Sequence, residues 1–295
     1  MHAAAGAPMT GMSLPMPTLF LSHGSPITAL EPREAGAFLG RLGPALEARF
    51  GRPRAILALS AHTLAHRPVL LAADRHHAVY DFGGFDPRLR TLRYDAPGAP
   101  AVAAQALALL QAAGLAPLSV DQGGLDHGIW VPLMHLMPRA DVPVLPLAFS
   151  PDWSPAQVRA LGRALAPLST QGVLVIGSGS LTHNLQMVFG PRGMPPVDAP
   201  ERPESAAFRE WVRLHAEAGD EDALLDYRRH APHAELMHPT DEHWLPWYAA
   251  QGAAGPGPSR RLHASLTYGC LAMDAYAFGP GAPALQAVLA EAVPS

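Results

Sequence analysis

Three short apolar runs, each followed within a few residues by a histidine, constrain the fold of this chain more than any other feature. PTLFLS precedes His23, AILALS precedes His62, and GVLVIG leads through SGSLT to His183. Apolar runs of this length are typical of buried strands. Because the strand ends of an α/β sheet form one rim, and ligands bind in the crevice outside it, we expect these histidines to meet.

Helical patterns separate these runs along the chain. Their alternation predicts an α/β fold with a single domain over 17–295, a central, mostly parallel or mixed sheet and flanking helices, preceded by a flexible N-terminal tail at 1–16. The predicted strands are 18–22, 55–60, 69–72, 142–149, 172–176, 262–268 and 271–278. The predicted helices are 34–50, 99–113, 155–168 with Ser154 as N-cap, 204–218, 222–227 and 240–250 with Thr240 as N-cap.

Composition excludes several classes of chemistry. The chain has no lysine, which excludes a Schiff-base enzyme and a phosphate-binding P-loop. Cys270 is the single cysteine, which excludes an internal disulfide, a cysteine-rich zinc site and an iron–sulfur cluster. A net charge of −4 without a basic run gives no reason to expect nucleic acid or a membrane as partner. No apolar run approaches about 20 residues, and we expect a cytoplasmic protein.

The positions of three histidines predict a metal site. His23 and His62 follow predicted strands, and His243 lies at the start of the predicted helix 240–250. Neutral imidazole suits zinc, iron and copper, and three protein ligands with open positions are typical of a catalytic metal. No HExxH segment supports the prediction.

The chain has fifteen histidines, so most must have other roles. His135 is left open between packing on the helix after Trp130 and a functional role. Eight others lie in polar, irregular or helical segments, and we expect them at the surface or hydrogen-bonded in the core. They are His2, His66, His76, His77, His215, His230, His233 and His263.

His127 and His183 are candidates for a fourth ligand or for a general acid and base. His127 lies between the Gly123-Gly124 turn and a predicted helix, and His183 follows a glycine-rich strand exit. Histidine has a proton affinity in the range that acid–base catalysis needs. The alternative for each is a loop histidine that bonds to the backbone. Serine hydrolysis is a weak alternative, since the chain has no GxSxG segment.

The segment DFGGF at 81–85 predicts a wall for a flat ligand, because aromatic side chains flank glycines that let a ligand approach the backbone. Phe82 and Gly83, together with Ser25 of HGSP, are the candidate substrate contacts. A simple glycine turn with two buried phenylalanines is the alternative.

Six segments together resemble the LigB-type class III extradiol ring-cleavage dioxygenases, and within them the subgroup called 4,5-DOPA dioxygenase extradiol. The resemblance runs from about 17 to 278, nearly the whole chain. The segments are HGSP at 23–26, SAHT at 60–63, DFGGF at 81–85, DHGIW at 126–130, THNL at 182–185 and PTDEHWLP at 239–246.

This resemblance implies a single α/β domain with a mononuclear, non-haem Fe(II) site. It implies that His23, His62 and His243 hold the metal, that His183 is the acid/base facing the catechol and that His127 is a second active-site histidine. Many class III enzymes use two histidines and one carboxylate, so Glu242 is the alternative to His243. Zn²⁺ also suits three imidazoles and can occupy the isolated protein.

The implied reaction inserts both atoms of O₂ into a catechol next to its diol. L-DOPA, cleaved at the 4,5 bond to seco-DOPA and hence betalamic acid, is the expected substrate, although the physiological catechol and 2,3 versus 4,5 cleavage stay open. Two other functions also stay open: a zinc-dependent hydrolase on the same histidines, and a non-catalytic metal-binding member of the fold family. We expect a monomer or small homo-oligomer that binds a catechol and O₂.

Overall fold

A computed structural model describes residues 14–190 and 193–291. Most of the predicted tail 1–16, including His2, lies outside these residues, and its flexibility stays a prediction. The strands are β1 (Thr18–Ser22), β2 (Ala55–Ser60), β3 (Val69–Leu71), β4 (Arg75–His76), β5 (Ala96–Pro97), β6 (Leu118–Val120), β7 (Val144–Ala148), β8 (Val173–Gly179), β9 (Ser259–His263), β10 (Leu266–Thr267), β11 (Leu271–Ala272) and β12 (Ala275–Phe278).

Helices occupy most of the intervening segments. The α-helices are α1 (Arg33–Phe50), α2 (Pro100–Ala112), α3 (His127–Leu136), α4 (Pro155–Leu165), α5 (Leu185–Val188), α6 (Pro203–Ala218), α7 (Glu221–Leu225), α8 (Tyr227–His230), α9 (Ala234–Met237), α10 (Leu245–Ala253) and α11 (Ala282–Glu291). Short 3-10 helices cover Pro26–Ala29, Pro87–Thr91 and Ala166–Gln171.

Eight strands form one sheet in the order β6-β3-β7-β2-β8-β1-β12-β9. The four central strands β7, β2, β8 and β1 are parallel, whereas β3 is antiparallel to β7 and β12 is antiparallel to β1. This mixed sheet confirms the predicted fold class. It also places the carboxyl ends of β1, β8 and β2 side by side, so the segments that follow them meet at one rim.

Helices cover both faces of the sheet, which explains the unbroken apolar runs. Successive residues of a strand point to opposite faces. Leu57 accordingly packs in the core under α2, α4, α6 and α10, whereas its neighbour Ile56 packs in the core under α1, α3 and α11. Both side chains are fully buried. A central strand therefore has no polar face, as its sequence indicates.

The predicted helix 240–250 is wrong at its start. The helix α10 begins at Leu245, and His243 lies in the turn before it. Proline lacks an N–H group and clashes with the preceding turn, so Pro246 fits only in the first turn of a helix. The Asp241 carbonyl instead accepts hydrogen bonds from the N–H groups of Trp244 and Leu245, at 2.8 and 2.9 Å.

The two predicted carboxyl-terminal strands pair with each other in antiparallel fashion, but each of them is divided. β9 pairs with β12 in the large sheet, and β10 pairs with β11 in a separate hairpin. Asp274, between β11 and β12, is fully buried and accepts a hydrogen bond from the Arg209 guanidinium at 2.9 Å.

Ser154 caps α4 as predicted. Its side chain accepts a hydrogen bond from the main chain of Gln157, and the Gln157 side chain accepts one from the main chain of Ser154.

No helix within 14–190 or 193–291 is long and apolar enough to cross a membrane.

Candidate active site

Three imidazoles from distant parts of the chain converge at the rim of the sheet. His23 directly follows β1, His62 follows β2 by two residues, and His243 lies in the turn before α10. One nitrogen from each of these rings lies within 4.8 Å of the others. The structure thus brings together the three histidines that the sequence predicts as metal ligands.

The facing nitrogens of His23 and His62 fit a shared cation. Their Nε2 atoms are 3.2 Å apart. With metal–nitrogen bonds of about 2.0–2.1 Å, two imidazoles on one tetrahedral metal place their nitrogens about 3.3 Å apart. His243 completes the group, with ring centroids 5.4 Å from His23 and 4.9 Å from His62.

A hydrogen-bond chain fixes the tautomer of His23. The hydroxyl of Ser178, on β8, donates to the Gly128 carbonyl and lies 3.0 Å from His23 Nδ1. Because that hydroxyl proton is already donated, its oxygen must accept the proton of His23 Nδ1. The Nε2 lone pair of His23 is therefore left free toward His62, as a metal ligand requires.

Glu242 fixes His243 in the same way. Its Oε1 lies 3.0 Å from His243 Nδ1 and also accepts a hydrogen bond from the Thr240 hydroxyl at 3.0 Å. A carboxylate beside Nδ1 favours a proton on that nitrogen and a lone pair on Nε2. The structure thus groups His243 with His23 and His62, while the Glu242 carboxylate contacts His243 Nδ1 and lies within 4.8 Å of a His183 nitrogen.

Asp126 ties the turn of His62 to the helix of His127. It lies at the N-cap of α3 and accepts hydrogen bonds from the hydroxyls of Ser60 and Thr63. The Ser60 oxygen in turn accepts the His62 N–H at 3.2 Å. Burial raises the pKa of Asp126, and these two hydroxyl donors oppose the rise. The sequence marks Asp126 only as part of a motif, and nothing local indicates this bridging role.

His127 forms a pair with Asp81 that sequence reasoning missed. Its Nδ1 lies 3.0 Å from both carboxylate oxygens, and its main-chain N–H donates to Oδ1 at 3.0 Å. Although burial alone would raise the pKa of Asp81, these hydrogen bonds hold it below its usual value. The carboxylate thus stays ionised and holds a proton on Nδ1, which leaves Nε2 for chemistry. The His127 ring centroid lies 4.0 Å from that of His62.

His183 lies against His243. The two rings are stacked, with centroids 3.4 Å apart and planes within 8°. The main-chain N–H of His183 donates to the Met237 carbonyl at 2.8 Å, which fixes the loop after β8. Burial lowers the pKa of His183 from 6.5 to about 4. His183 is therefore neutral at pH 7 and able to accept a proton.

The three candidate metal ligands are neutral as well. Burial, followed by repulsion from neighbouring imidazoles, holds the pKa values of His23 and His243 well below 6.5. Burial lowers the pKa of His62 to about 4, and repulsion by His127 adds to this. Neutral imidazole is the form that binds a metal. The donor set, the nitrogen spacing and the tautomers all fit a divalent transition-metal ion.

A cavity of about 630 Å³ opens onto this cluster. Ser25, Phe82 and Gly83, the candidate substrate contacts, all line it together with the five histidines. The Phe82 ring meets the His127 ring edge to face, with centroids 5.8 Å apart. The Arg90 guanidinium donates to the Phe82 carbonyl at 3.0 Å, which holds the aromatic wall in place.

Among the other histidines, His76 differs from its prediction. It is fully buried, and neither ring nitrogen has a hydrogen-bond partner in the part of the chain that the structure describes. His135 lies on α3 with Nε2 3.0 Å from the Thr28 carbonyl, and is not part of the cluster. His238, which the sequence did not single out, is fully buried, and its Nε2 lies 2.9 Å from the Leu181 carbonyl. It supports the loop that carries His183.

The fold and site agree with one known protein family. The model of the family described as the catalytic LigB subunit of aromatic ring-opening dioxygenase matches residues 17–279. The chain belongs to this family. Members of the LigB family are metal-dependent dioxygenases that act on an aromatic substrate with O₂, so the resemblance noted from the six segments is confirmed.

Individual relatives agree with this assignment. The chain is 37% identical over 264 residues to the 4,5-DOPA dioxygenase extradiol of Beta vulgaris, which covers 88% of this chain and 96% of that protein. It is 33% identical over 243 residues to the Escherichia coli K12 protein of the same name, covering 81% and 85%. The crystal structure of an uncharacterized protein from Escherichia coli K12 matches with a TM-score of 0.71 and 28% identity, covering 90% of this chain and 100% of that one. The chain is thus a LigB-family extradiol dioxygenase.

Alanine at Gly179 is expected to disrupt the LigB-type site. A Cβ at Gly179, on β8, would lie 2.1 Å from the His243 carbonyl oxygen, which must move. Overpacking of this kind costs about 1–3 kcal/mol. We expect thermal unfolding of Gly179→Ala at lower temperature, together with weaker metal binding.

Gly40, on α1, provides the matched control, since a Cβ added there would have no neighbouring atom within 4 Å. Gly40→Ala is expected to retain or slightly raise stability. Equal melting temperatures for the two variants would contradict the close approach at Gly179.

Acid is expected to destabilise the metal-free protein. His62 and His183 have a pKa near 6.5 in the unfolded chain and about 4 in the folded one, so the unfolded state binds more protons between these values. The unfolding free energy therefore falls as the pH is lowered through this window, by on the order of 3 kcal/mol for each histidine. Burial raises the pKa of Asp274 to about 6, which acts in the opposite sense for one group.

Thermal unfolding of chelator-treated protein at pH 7.5 and 5.5 checks this expectation. The His183→Gln variant should show a smaller decrease in melting temperature between the two pH values. A melting temperature that does not change would contradict the burial of neutral imidazoles.

Proposed function

We propose that this chain is an Fe(II)-dependent extradiol dioxygenase that cleaves a catechol next to its diol, with L-DOPA as substrate and 4,5 cleavage to seco-DOPA. The observation that carries the proposal is the convergence of His23, His62 and His243 between two further histidines in one cavity. The relatives named 4,5-DOPA dioxygenase extradiol in Beta vulgaris, Mirabilis jalapa and Portulaca grandiflora, at 31–37% identity, support the choice of substrate.

The proposed metal ligands are the Nε2 atoms of His23, His62 and His243. Their neutral state and fixed tautomers suit this role. Fe(II) bound there would supply positions for the catechol oxygens and for O₂ and a path for electrons between them. Zn²⁺ suits the same ligands but has no redox chemistry, so we expect it to occupy the site without supporting ring cleavage.

His183 is the proposed base for the catechol. Its lowered pKa keeps the ring neutral at pH 7, so it can take the proton of a catechol hydroxyl. Its stacking on His243 places it beside the proposed metal site rather than in solvent. The proton so held is then available for return to an oxygen of the opened ring.

His127 and Asp81 are the proposed second acid/base unit. Asp81 holds the proton on His127 Nδ1, so Nε2 is the atom that gains and releases a proton toward the cavity. The ionised carboxylate stabilises the imidazolium that forms when Nε2 is protonated. His127 can therefore protonate an oxygen as the O–O bond breaks.

The cavity walls are proposed to orient the substrate and to restrict the access of water to the site. Phe82 and Gly83 offer a flat, apolar surface for one face of the catechol, and Ser25 lines the cavity beside His23. Holding the ring in one pose fixes which bond beside the diol is cleaved.

Isotope labelling tests the proposed reaction. Fe(II)-loaded protein given L-DOPA under ¹⁸O₂ is expected to yield an acyclic product that carries two ¹⁸O atoms by mass spectrometry, before cyclisation. Zn²⁺-loaded protein is the control and should give none. A product labelled from water alone, formed equally with Zn²⁺, would instead support the zinc-dependent hydrolase.

A further inference from the structure

A tight turn beside the cavity places a tyrosine where asparagine or glycine is usual. Tyr268 and Gly269 have φ angles of 56° and 70°, and the Cys270 N–H donates to the Thr267 carbonyl at 3.3 Å. Two left-handed residues between antiparallel strands are typical of a type I′ turn, which favours Asn-Gly. Tyrosine is strained in this conformation, and such strain is concentrated at functional sites.

Main-chain hydrogen bonds hold the turn from one side. The Tyr268 N–H donates to the Val197 carbonyl at 2.9 Å, and the Arg202 N–H donates to the Gly269 carbonyl at 2.9 Å. A Cβ at Gly269 would lie 2.8 Å from the Pro200 carbonyl oxygen, so the turn is also packed closely. The tyrosine side chain thus projects from a fixed backbone.

Thr182 holds the turn from the other side. Its hydroxyl donates to the Cys270 carbonyl at 2.6 Å and accepts the Ala272 N–H at 2.9 Å. Thr182 directly precedes His183. The turn of Tyr268 and the proposed catalytic base therefore share one support, which fixes the tyrosine relative to the reacting end of the cavity.

The Tyr268 side chain lines the same cavity as the site histidines. Its ring packs against the buried cluster of Val188, Cys270 and Leu271. Within 14–190 and 193–291, its hydroxyl makes no hydrogen bond and its ring contacts none of the five site histidines. The phenol is thus available to a ligand at some distance from the diol.

Two other polar side chains of the lining already have partners. Asp86 bonds to the Arg88 guanidinium at 2.8 Å, and the Ser180 hydroxyl donates to the Thr182 carbonyl at 2.8 Å. Apolar side chains, among them Leu185 and Phe189, form much of the remaining wall. Together with the Ser25 hydroxyl, the Tyr268 hydroxyl is therefore a donor of the lining that has no partner within 14–190 and 193–291.

We propose that Tyr268 is a specificity-determining residue whose hydroxyl donates a hydrogen bond to a carboxylate oxygen on the substituent of the catechol. Its ring packs on the carbon chain of that substituent. The inference rests on the proposed function and adds to it the residue that recognises the amino-acid side chain of L-DOPA.

Binding under argon tests the role of the hydroxyl. Dissociation constants of Fe(II)-loaded protein for L-DOPA and for 4-methylcatechol, which lacks the polar group, are measured by calorimetry. Tyr268→Phe is expected to weaken L-DOPA binding about tenfold and to leave 4-methylcatechol within about twofold. An unchanged ratio of the two constants, or native protein that prefers 4-methylcatechol, overturns the proposal.

A second variant tests the strained backbone. Asparagine adopts left-handed φ readily, so Tyr268→Asn is expected to raise the melting temperature by about 2 °C while weakening L-DOPA binding. A Tyr268→Asn variant that binds L-DOPA as tightly as the native protein would also overturn the proposal. Failure of the proposed function would appear separately, as no oxygen uptake by native protein with any catechol.

Discussion

Replacing His62 by alanine is expected to abolish metal binding and ring cleavage together. Its Nε2 faces that of His23 at 3.2 Å, and the two share the proposed metal with His243. Loss of a supporting hydrogen bond alone costs about 10–100-fold in metal affinity, so loss of a ligand should cost more than about 100-fold. Metal content after dialysis and oxygen uptake with L-DOPA are the two measurements.

His66→Ala is the matched control for this variant. His66 lies four residues farther along the same loop and is exposed. It should retain both metal and activity. His62→Ala protein that keeps its metal through dialysis would contradict the proposed ligand set, whatever its activity.

Replacing Asp81 by asparagine is expected to lower kcat by about 10²–10⁴-fold while metal binding is retained. The Asp81 Oδ1 atom accepts the main-chain N–H of His127, and Oδ2 accepts Nδ1–H. In asparagine the carbonyl oxygen would keep the main-chain bond, so the amide NH₂ would face Nδ1. The proton of the ring would then move to Nε2, which is the wrong tautomer for a base.

A second histidine–aspartate pair provides the control for this variant. His77 Nδ1 lies 2.7 Å from Asp95 on the surface, outside the cavity lining. Asp95→Asn should leave kcat unchanged. Asp81→Asn protein that turns over at the native rate, with full metal content, would exclude the His127–Asp81 pair from the reaction.

Much of the fold could be predicted because its signals are local. The runs of β1, β2 and β8 are apolar throughout, and a short apolar run between helical segments has few other interpretations. His23, His62 and His183 were predicted to meet for the same reason, since strand ends share a rim. His243 reaches the histidine cluster although the predicted helix start was wrong, and Pro246 explains the later start of α10.

The supporting shell could not be predicted because its signals are not local. Asp81 lies 46 positions before His127, and Ser178 lies 155 positions after His23. Nothing in the neighbouring sequence of either residue distinguishes it from other loop aspartates or strand serines. Their partners follow from strand order: β8 lies between β1 and β2, which places Ser178 opposite Leu21 and Ser60. Tyr268 escaped notice because its signal is a backbone angle.

Oxygen consumption after anaerobic loading with Fe(II) is the decisive measurement for the proposed dioxygenase reaction. Native protein given L-DOPA and then air is expected to take up one O₂ for each L-DOPA and to form a yellow product, while Zn²⁺-loaded and His62→Ala proteins take up none. No oxygen uptake by the Fe(II)-loaded protein, with L-DOPA or with a panel of simple catechols, would contradict it.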